Sequence, residues 1–191
     1  MAQELIGTNL RLFACPWSAP SWMKTNYDMS GNGSTMKGDL YNDTRYWGTW
    51  SKYFVRFFEE YGKQNVRFWG LTIQNEPLTK PLYTEMFMPA NVERDFLKKF
   101  LGPAIRAHPA TSHLKIMIYD QDRGSCGPYG VDGHQECGAD KFIGVVLGDE
   151  AAASYVDGVS MHWYEDGFVN ASMLDSIHNS YPEKWIMHTE V

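Results

Sequence analysis

The 191 residues are 43% hydrophobic and 21% charged, a globular composition that excludes a disordered chain and leaves no apolar run long enough to span a bilayer. A net charge of -6, with no long cluster of Lys or Arg, disfavours nucleic acid and other anionic partners. The 7 Trp and 11 Tyr supply flat apolar faces, whose commonest use is core packing and whose rarer use is stacking on sugar rings.

In chain order, residues 5–6 end a helix at Gly7, and residues 10–15 form a buried strand closed by Pro16. Trp17 lies just past that strand end, where it either walls a pocket or plugs the end of a barrel. Residues 24–40, with Gly31, Gly33 and Gly38, form a rim loop; Gly31-Asn32-Gly33 lacks the third glycine and the helix of a dinucleotide fingerprint. Asp43 or Thr44 caps a helix reaching about Tyr61, in which Trp47, Trp50, Phe54, Phe57 and Tyr61 recur at three- and four-residue steps and make a core stripe. Gly62 ends it.

The next strand, 66–76, stops at Pro77 because proline has no N–H for a ladder, so its last residue is Glu76, preceded by the amide of Asn75. A loop with Tyr83 and Phe87 leads to a helix over 91–101, stopped by Gly102-Pro103. The strand 114–119 ends on Asp120, and a Gly-rich insertion fills 124–138. Helices are predicted over 139–147, 149–155 and 174–180, and a strand over 156–163 carries His162, Trp163 and Tyr164 at its end. The last strand, 185–190, ends on Glu190.

Strands alternating with helices specify a parallel sheet with helical crossovers, either an open doubly wound sheet or a (β/α)8 barrel. Polar and aromatic residues at nearly every strand end favour the barrel, because an open sheet gathers its site at one switch point. Five strands do not close eight, so the chain is expected to be an incomplete barrel, one partial catalytic domain over 1–191, truncated at the N-terminus. Two strand-end glutamates, Glu76 and Glu190, suggest an acid and a nucleophile, although most lone glutamates are solvated loop residues.

Neither a cofactor nor a metal is expected. Cys126, His134 and Cys137 match no reliable zinc spacing, and in an oxidising compartment Cys126 and Cys137 close their loop while Cys15 stays a buried thiol. Residues 1–7 lack the features of a signal peptide, yet sequons at Asn32, Asn42 and Asn170 suit a secreted glycoprotein.

The chain resembles the acid β-glucocerebrosidase (glucosylceramidase) family of retaining glycoside hydrolases. The matching pieces include Pro16-Trp17-Ser18-Ala19-Pro20-Ser21-Trp22, Asn75-Glu76-Pro77, Leu101-Gly102-Pro103, His162-Trp163-Tyr164 and Thr189-Glu190, in the family's order over nearly the whole chain. The resemblance implies a (β/α)8 TIM barrel of which this chain holds about strands three to seven, with Glu76 as acid/base and Glu190 as nucleophile. It implies further that Asn75 bonds the sugar 2-hydroxyl, Trp17 walls the glucose pocket, His162 and Tyr164 orient the carboxylates, and Trp163 supports the rim. Asp120 and Arg123 match a charged strand-end pair with a supporting role.

The expected activity is hydrolysis of glucosylceramide to glucose and ceramide in a lysosomal or secreted setting, with contact to a membrane surface through the substrate. An activator protein is a partner by resemblance only. The alternatives are a related glycosidase on another β-linked glucoside or xyloside, an inactive fragment, and a sugar-binding module.

Overall fold

The alternation legible in the sequence folds as parallel strands joined by helices. The computed structural model describes residues 2–31, 34–38, 45–79, 82–124 and 138–191. Cys126, His134, Cys137 and the sequons at Asn32 and Asn42 lie outside the described residues.

Strands β1 (Leu12–Ala14), β2 (Phe68–Thr72), β3 (Lys115–Asp122), β4 (Gly158–His162) and β5 (Trp185–Glu190) form one sheet in chain order, each parallel to the next. Helix α1 (Ala2–Ile6) precedes β1. The crossovers are α2 (Trp47–Lys63), then α3 (Ala90–Phe96), a π turn (Leu97–Leu101) and α4 (Gly102–Ala107), then α5 (Ala139–Leu147) with α6 (Glu150–Ala153), and finally α7 (Ser172–Ser180). A doubly wound sheet reverses its order at a switch point. No reversal occurs among these strands, so the progression is that of a barrel wall, with β1 and β5 each paired on one side among the described residues.

One continuous core joins the helices to the sheet, with Trp50, Phe54, Phe58, Phe96, Phe142 and Ile143 packed against Leu71, Ile116, Ile118 and Val159. Burying side chains of this size contributes about 1.5–3 kcal/mol each before the entropy cost of ordering them. In α2 the buried face is Trp47, Trp50, Phe54, Val55 and Phe58, so the expected stripe is displaced at its C-terminal end. Tyr61 is exposed, and its ring lies 4.6 Å from Phe57 and 5.6 Å from Phe68 at the edge of the cluster.

Three predicted boundaries are corrected. Gly102-Pro103 does not stop the helix: the chain passes through the π turn into α4, where Pro103 falls in the first turn, directly after the irregularity. Gly102 is there for packing, since a Cβ would meet the Tyr155 ring at 2.4 Å. β2 ends at Thr72, four residues before Glu76, because the backbone leaves the ladder to bond both neighbours: Asn75 N–H donates to Pro16 O and Glu76 N–H to Asp120 O, each at 2.9 Å. β3 does not end on Asp120 but continues to Asp122 across a register shift, with Tyr119 and Asp120 both in the left-handed region at φ 80 and 49. The predicted caps Asp43 and Thr44 lie outside the described residues, and α2 starts at Trp47 with Tyr46 before it; the remaining boundaries agree to within about two residues, and β4 ends on His162, leaving Trp163 and Tyr164 just beyond it.

Gly158 faces Trp185 across the β4–β5 ladder, and a Cβ there would lie 2.3 Å from the indole, which is itself packed on Trp69 at 5.4 Å. Gly158→Ala is therefore expected to lower stability by about 1–3 kcal/mol, read as a fall in the urea midpoint at unchanged m-value.

Candidate active site

The strand ends bring a cation and three carboxylates together. His162 closes β4 and is 1% exposed. Its Nδ1 lies 3.3 Å from Glu76 Oε1, while its Nε2 points between Asp120 Oδ1 at 3.4 Å and Glu190 Oε2 at 3.7 Å. Burial alone would lower the imidazole pKa. The contacts to Asp120 and Glu76, with the charges of Asp120 and Glu190, overcome it and raise the pKa to about 10. His162 is therefore an imidazolium at neutral pH.

Asp120 is the fixed counter-charge. Its Oδ1 accepts from Thr189 at 2.7 Å, and its Oδ2 accepts from Thr72 at 2.7 Å and from the Cys15 thiol at 2.8 Å. Burial pushes its pKa up, but His162, Cys15 and Thr189 hold it below the usual carboxylate value. Burial, with Asp120 beside it, raises the Cys15 thiol well above its usual value, so this cysteine acts as a hydrogen-bond donor and not as a nucleophile.

Each predicted catalytic glutamate carries a phenol. Tyr83 donates to Glu76 Oε2 and Tyr164 to Glu190 Oε1, both at 2.9 Å. The bond to Glu190, then burial, raises Tyr164 to about 12; burial, then the bond to Glu76, raises Tyr83 still further. Both phenols therefore remain donors. One ligand atom each from Glu76, His162 and Glu190 lie within 4.8 Å of one another, so the carboxylates face each other across a gap about the width of one reacting atom. The trio has the composition of a metal site, and the same residue types also serve proton transfer between two carboxylates.

Of the other predicted residues, Asn75 is buried: its Nδ2 donates to Glu85 Oε2 at 3.2 Å, and its Oδ1 faces the Cys15 thiol at 3.6 Å. Trp17 is half-exposed, with its ring 5.7 Å from that of Tyr83. Trp163 stands on the rim, half-exposed, 6.0 Å from the Tyr164 ring. Asp120 and Arg123, the charged strand-end residues, take different partners. Arg123 Nη2 binds Asp166 Oδ1 at 2.6 Å, because the bulge turns Asp120 toward His162.

Sequence reasoning missed the acceptors and donors behind this site. Glu85 takes hydrogen bonds from Gln74, Asn75 and the Met86 N–H, and burial raises its carboxyl to about 9. Glu93, on α3, accepts the Tyr119 N–H at 3.1 Å at the bulge, and burial raises it to about 8. Acidic residues in amphipathic or loop sequence give no sign that they will be buried; the one available clue was their place beside apolar neighbours.

The His162 contribution to stability is fully present below its ordinary value of 6.5 and is lost as pH rises through about 10. That of Asp120 is present above its ordinary 3.8 and is lost as pH falls through its lower folded value. An imidazole NMR titration is expected to keep His162 charged through pH 9, with a midpoint at about 10. Asp120→Asn is expected to bring that midpoint down by about 1–3 units. A wild-type midpoint near 6.5 would mean that the network does not form.

The whole chain, residues 1–191, matches the glycosyl hydrolase family 30 TIM-barrel domain. It is 42% identical to "Putative glucosylceramidase 4" of Caenorhabditis elegans and 34% identical to the lysosomal acid glucosylceramidase of Mus musculus, covering 99% of this chain and 34% of each relative. A solved endo-beta1,6-glucanase superposes with a TM-score of 0.80 at 27% identity, covering 98% of this chain and 38% of that one. The chain thus spans about a third of the length of the curated relatives it matches. Its five strands form part of a TIM barrel, and the chain belongs to glycosyl hydrolase family 30.

Proposed function

We propose that this chain carries the catalytic pair of a retaining β-glucosidase that cleaves glucosylceramide to glucose and ceramide. The observation that carries the reading is the separation of Glu76 and Glu190, oxygen to oxygen within 4.8 Å. Retaining glycosidases hold their carboxylates roughly 5–5.5 Å apart, whereas inverting ones need about 6.5–9.5 Å to admit a water.

In the first step Glu190 attacks the anomeric carbon as the glycosidic bond breaks, and the departing oxygen takes its proton from Glu76. Tyr164 occupies Oε1 of Glu190, which leaves Oε2 as the attacking atom. In the second step Glu76 removes a proton from water, the water oxygen bonds the anomeric carbon, and the ester to Glu190 breaks. Glu76 ends protonated and Glu190 ionised, as they began. His162 stays charged throughout and compensates the carboxylate that is ionised at each stage. Asn75 bonds the 2-hydroxyl, and Trp17 and Trp163 flank the sugar and its aglycone.

The lipid substrate rests on the two glucosylceramidase relatives and a lysosomal location on the name of the Mus musculus one; contact with a membrane surface through the lipid, and help from an activator protein, rest on the family resemblance alone. Among the described residues no helix is long and apolar enough to cross a membrane. The likeness to the endo-beta1,6-glucanase favours a second reading, hydrolysis of a β-linked glucan by the same two carboxylates.

A cyclophellitol-type epoxide is expected to label Glu190, as mapped by peptide mass spectrometry, with the label lost in Glu190→Gln. The label should appear on the polypeptide carrying the full barrel; its absence from the 191-residue chain alone would make that chain inactive by itself. If neither form is labelled while both are folded, the retaining β-glucosidase reading is wrong. Glu76→Ala is expected to cut kcat on an alkyl β-glucoside by about 10²–10⁴-fold, whereas turnover of 2,4-dinitrophenyl β-glucoside, limited by the second step, should recover on added azide. Faster release of glucose from glucosylceramide than from a β-1,6-glucan would favour the lipid substrate, and the reverse order the glucan.

A further inference from the structure

Lys24 is 0% exposed, yet no carboxylate side chain neutralises it at bonding distance among the described contacts. Its ammonium spends its three N–H bonds on backbone carbonyls: Met29 O at 3.1 Å, Ser30 O at 2.8 Å and Glu85 O at 2.7 Å. Three donors to three acceptors require the charged form of the amine. The first two carbonyls belong to the segment 24–31 and the third to the segment 83–87, so the side chain sits between two rim loops as a bound ion would.

The loops meet through their backbones as well. Gly31 N–H donates to Tyr83 O at 2.7 Å, Glu85 N–H to Met29 O at 3.3 Å, and Phe87 N–H to Ser34 O at 2.8 Å, with an antiparallel bridge between Ser30 and Thr84. The fastened strip reaches the site at two points. Tyr83 puts its hydroxyl on Glu76 Oε2, and Glu85 puts its carboxyl on the side chains of Gln74 and Asn75, directly before Glu76 in the chain. Glu76 itself sits at φ 38, in a stretch of backbone that does not hold its shape by secondary structure.

We propose that Lys24 is a positioning residue for the acid/base carboxylate: it clamps the two rim loops together and thereby holds Tyr83 against Glu76 and Glu85 against Asn75. The proposal rests on the assignment of Glu76 made above. Lys24 touches no substrate atom in this scheme and acts through Tyr83 and Glu85.

A defect in the acid/base differs from a general loss of folded enzyme in its dependence on the leaving group. An alkoxide needs a proton to depart, whereas a dinitrophenolate does not. In the polypeptide carrying the full barrel, Lys24→Met is expected to lower kcat on an alkyl β-glucoside by about 10- to 100-fold, the scale of a misplaced catalytic group. The value of kcat/KM on 2,4-dinitrophenyl β-glucoside, which reports a first step that needs no acid, should change far less. Adding Lys24→Met to Tyr83→Phe should cost less than it does in the wild type, because the two changes share one route.

Equal losses on both substrates, or no loss on either, would overturn the proposal; full additivity with Tyr83→Phe would overturn the route through Tyr83. Hydrogen exchange gives a reading that does not depend on activity. Lys24→Met should accelerate exchange at the Gly31, Glu85 and Phe87 amides while the β3 and β4 amides keep their protection, and unchanged rates would mean that there is no clamp. If the wild type hydrolyses neither glucoside, it is the glycosidase reading that fails and the positioning role falls with it, whereas the exchange result still decides the clamp.

Discussion

The buried charge of His162 is the constraint on which the rest of the site depends. Three carboxylates, Glu76, Asp120 and Glu190, converge on one ring. Without the cation Asp120 would lose the partner that holds its carboxyl below the usual carboxylate value against burial. The ring is held in turn by its fixed partner: Asp120 is saturated by Thr72, Thr189 and Cys15, one donor each from the neighbourhoods of β2, β5 and β1. The network therefore ties the sheet together from one end of the described strands to the other, and the same bonds that orient the ring hold the strand ends in register.

This arrangement is built on backbone that local preference would not choose. Glu76, Tyr119 and Asp120 all lie at positive φ without being glycine. Such conformations cost of order 1–3 kcal/mol each and persist where the surroundings fix them. The fixing groups are present: Glu93 accepts the Tyr119 N–H, Asp120 O accepts the Glu76 N–H, and Pro16 O accepts that of Asn75. The bulge in β3 turns Asp120 toward His162, and Arg123 is left to Asp166. Strain in this barrel wall is concentrated where side chains must leave the regular pleat to meet each other.

The parts legible in the sequence were those written in local pattern. The alternation of elements, the α5 and β5 boundaries, and the gathering of Glu190, His162 and Tyr164 at strand ends all follow from periodicity and from residues within a few positions of one another. Glu76 was found for a partly mistaken reason: Pro77 marks the end of extended backbone, but β2 had already left its ladder at Thr72. Asp120 was legible as a supporting strand-end residue but not as the anchor of His162, because a carboxylate beside an apolar run looks the same whether it terminates a strand or holds a histidine 42 residues later. Lys24 and Glu85 were not legible at all. Their partners are backbone carbonyls and amide side chains brought near by loops, and no residue type in the sequence announces such an acceptor.

The carboxyls of Glu85 and Glu93 give the fold a bias toward acid. Buried and raised to about 9 and about 8 from an ordinary 4.5, they are neutral in the folded chain at pH values where the unfolded chain ionises them. For these two groups folding takes up protons from about pH 4.5 upward, so each unit of rising pH works against the folded state until the folded values are passed. At the acidic end the burial carries no such penalty. The two acids that shape the ground beneath Asn75 and Tyr119 thus make the architecture of the site cheaper to maintain in an acidic medium than in a neutral one.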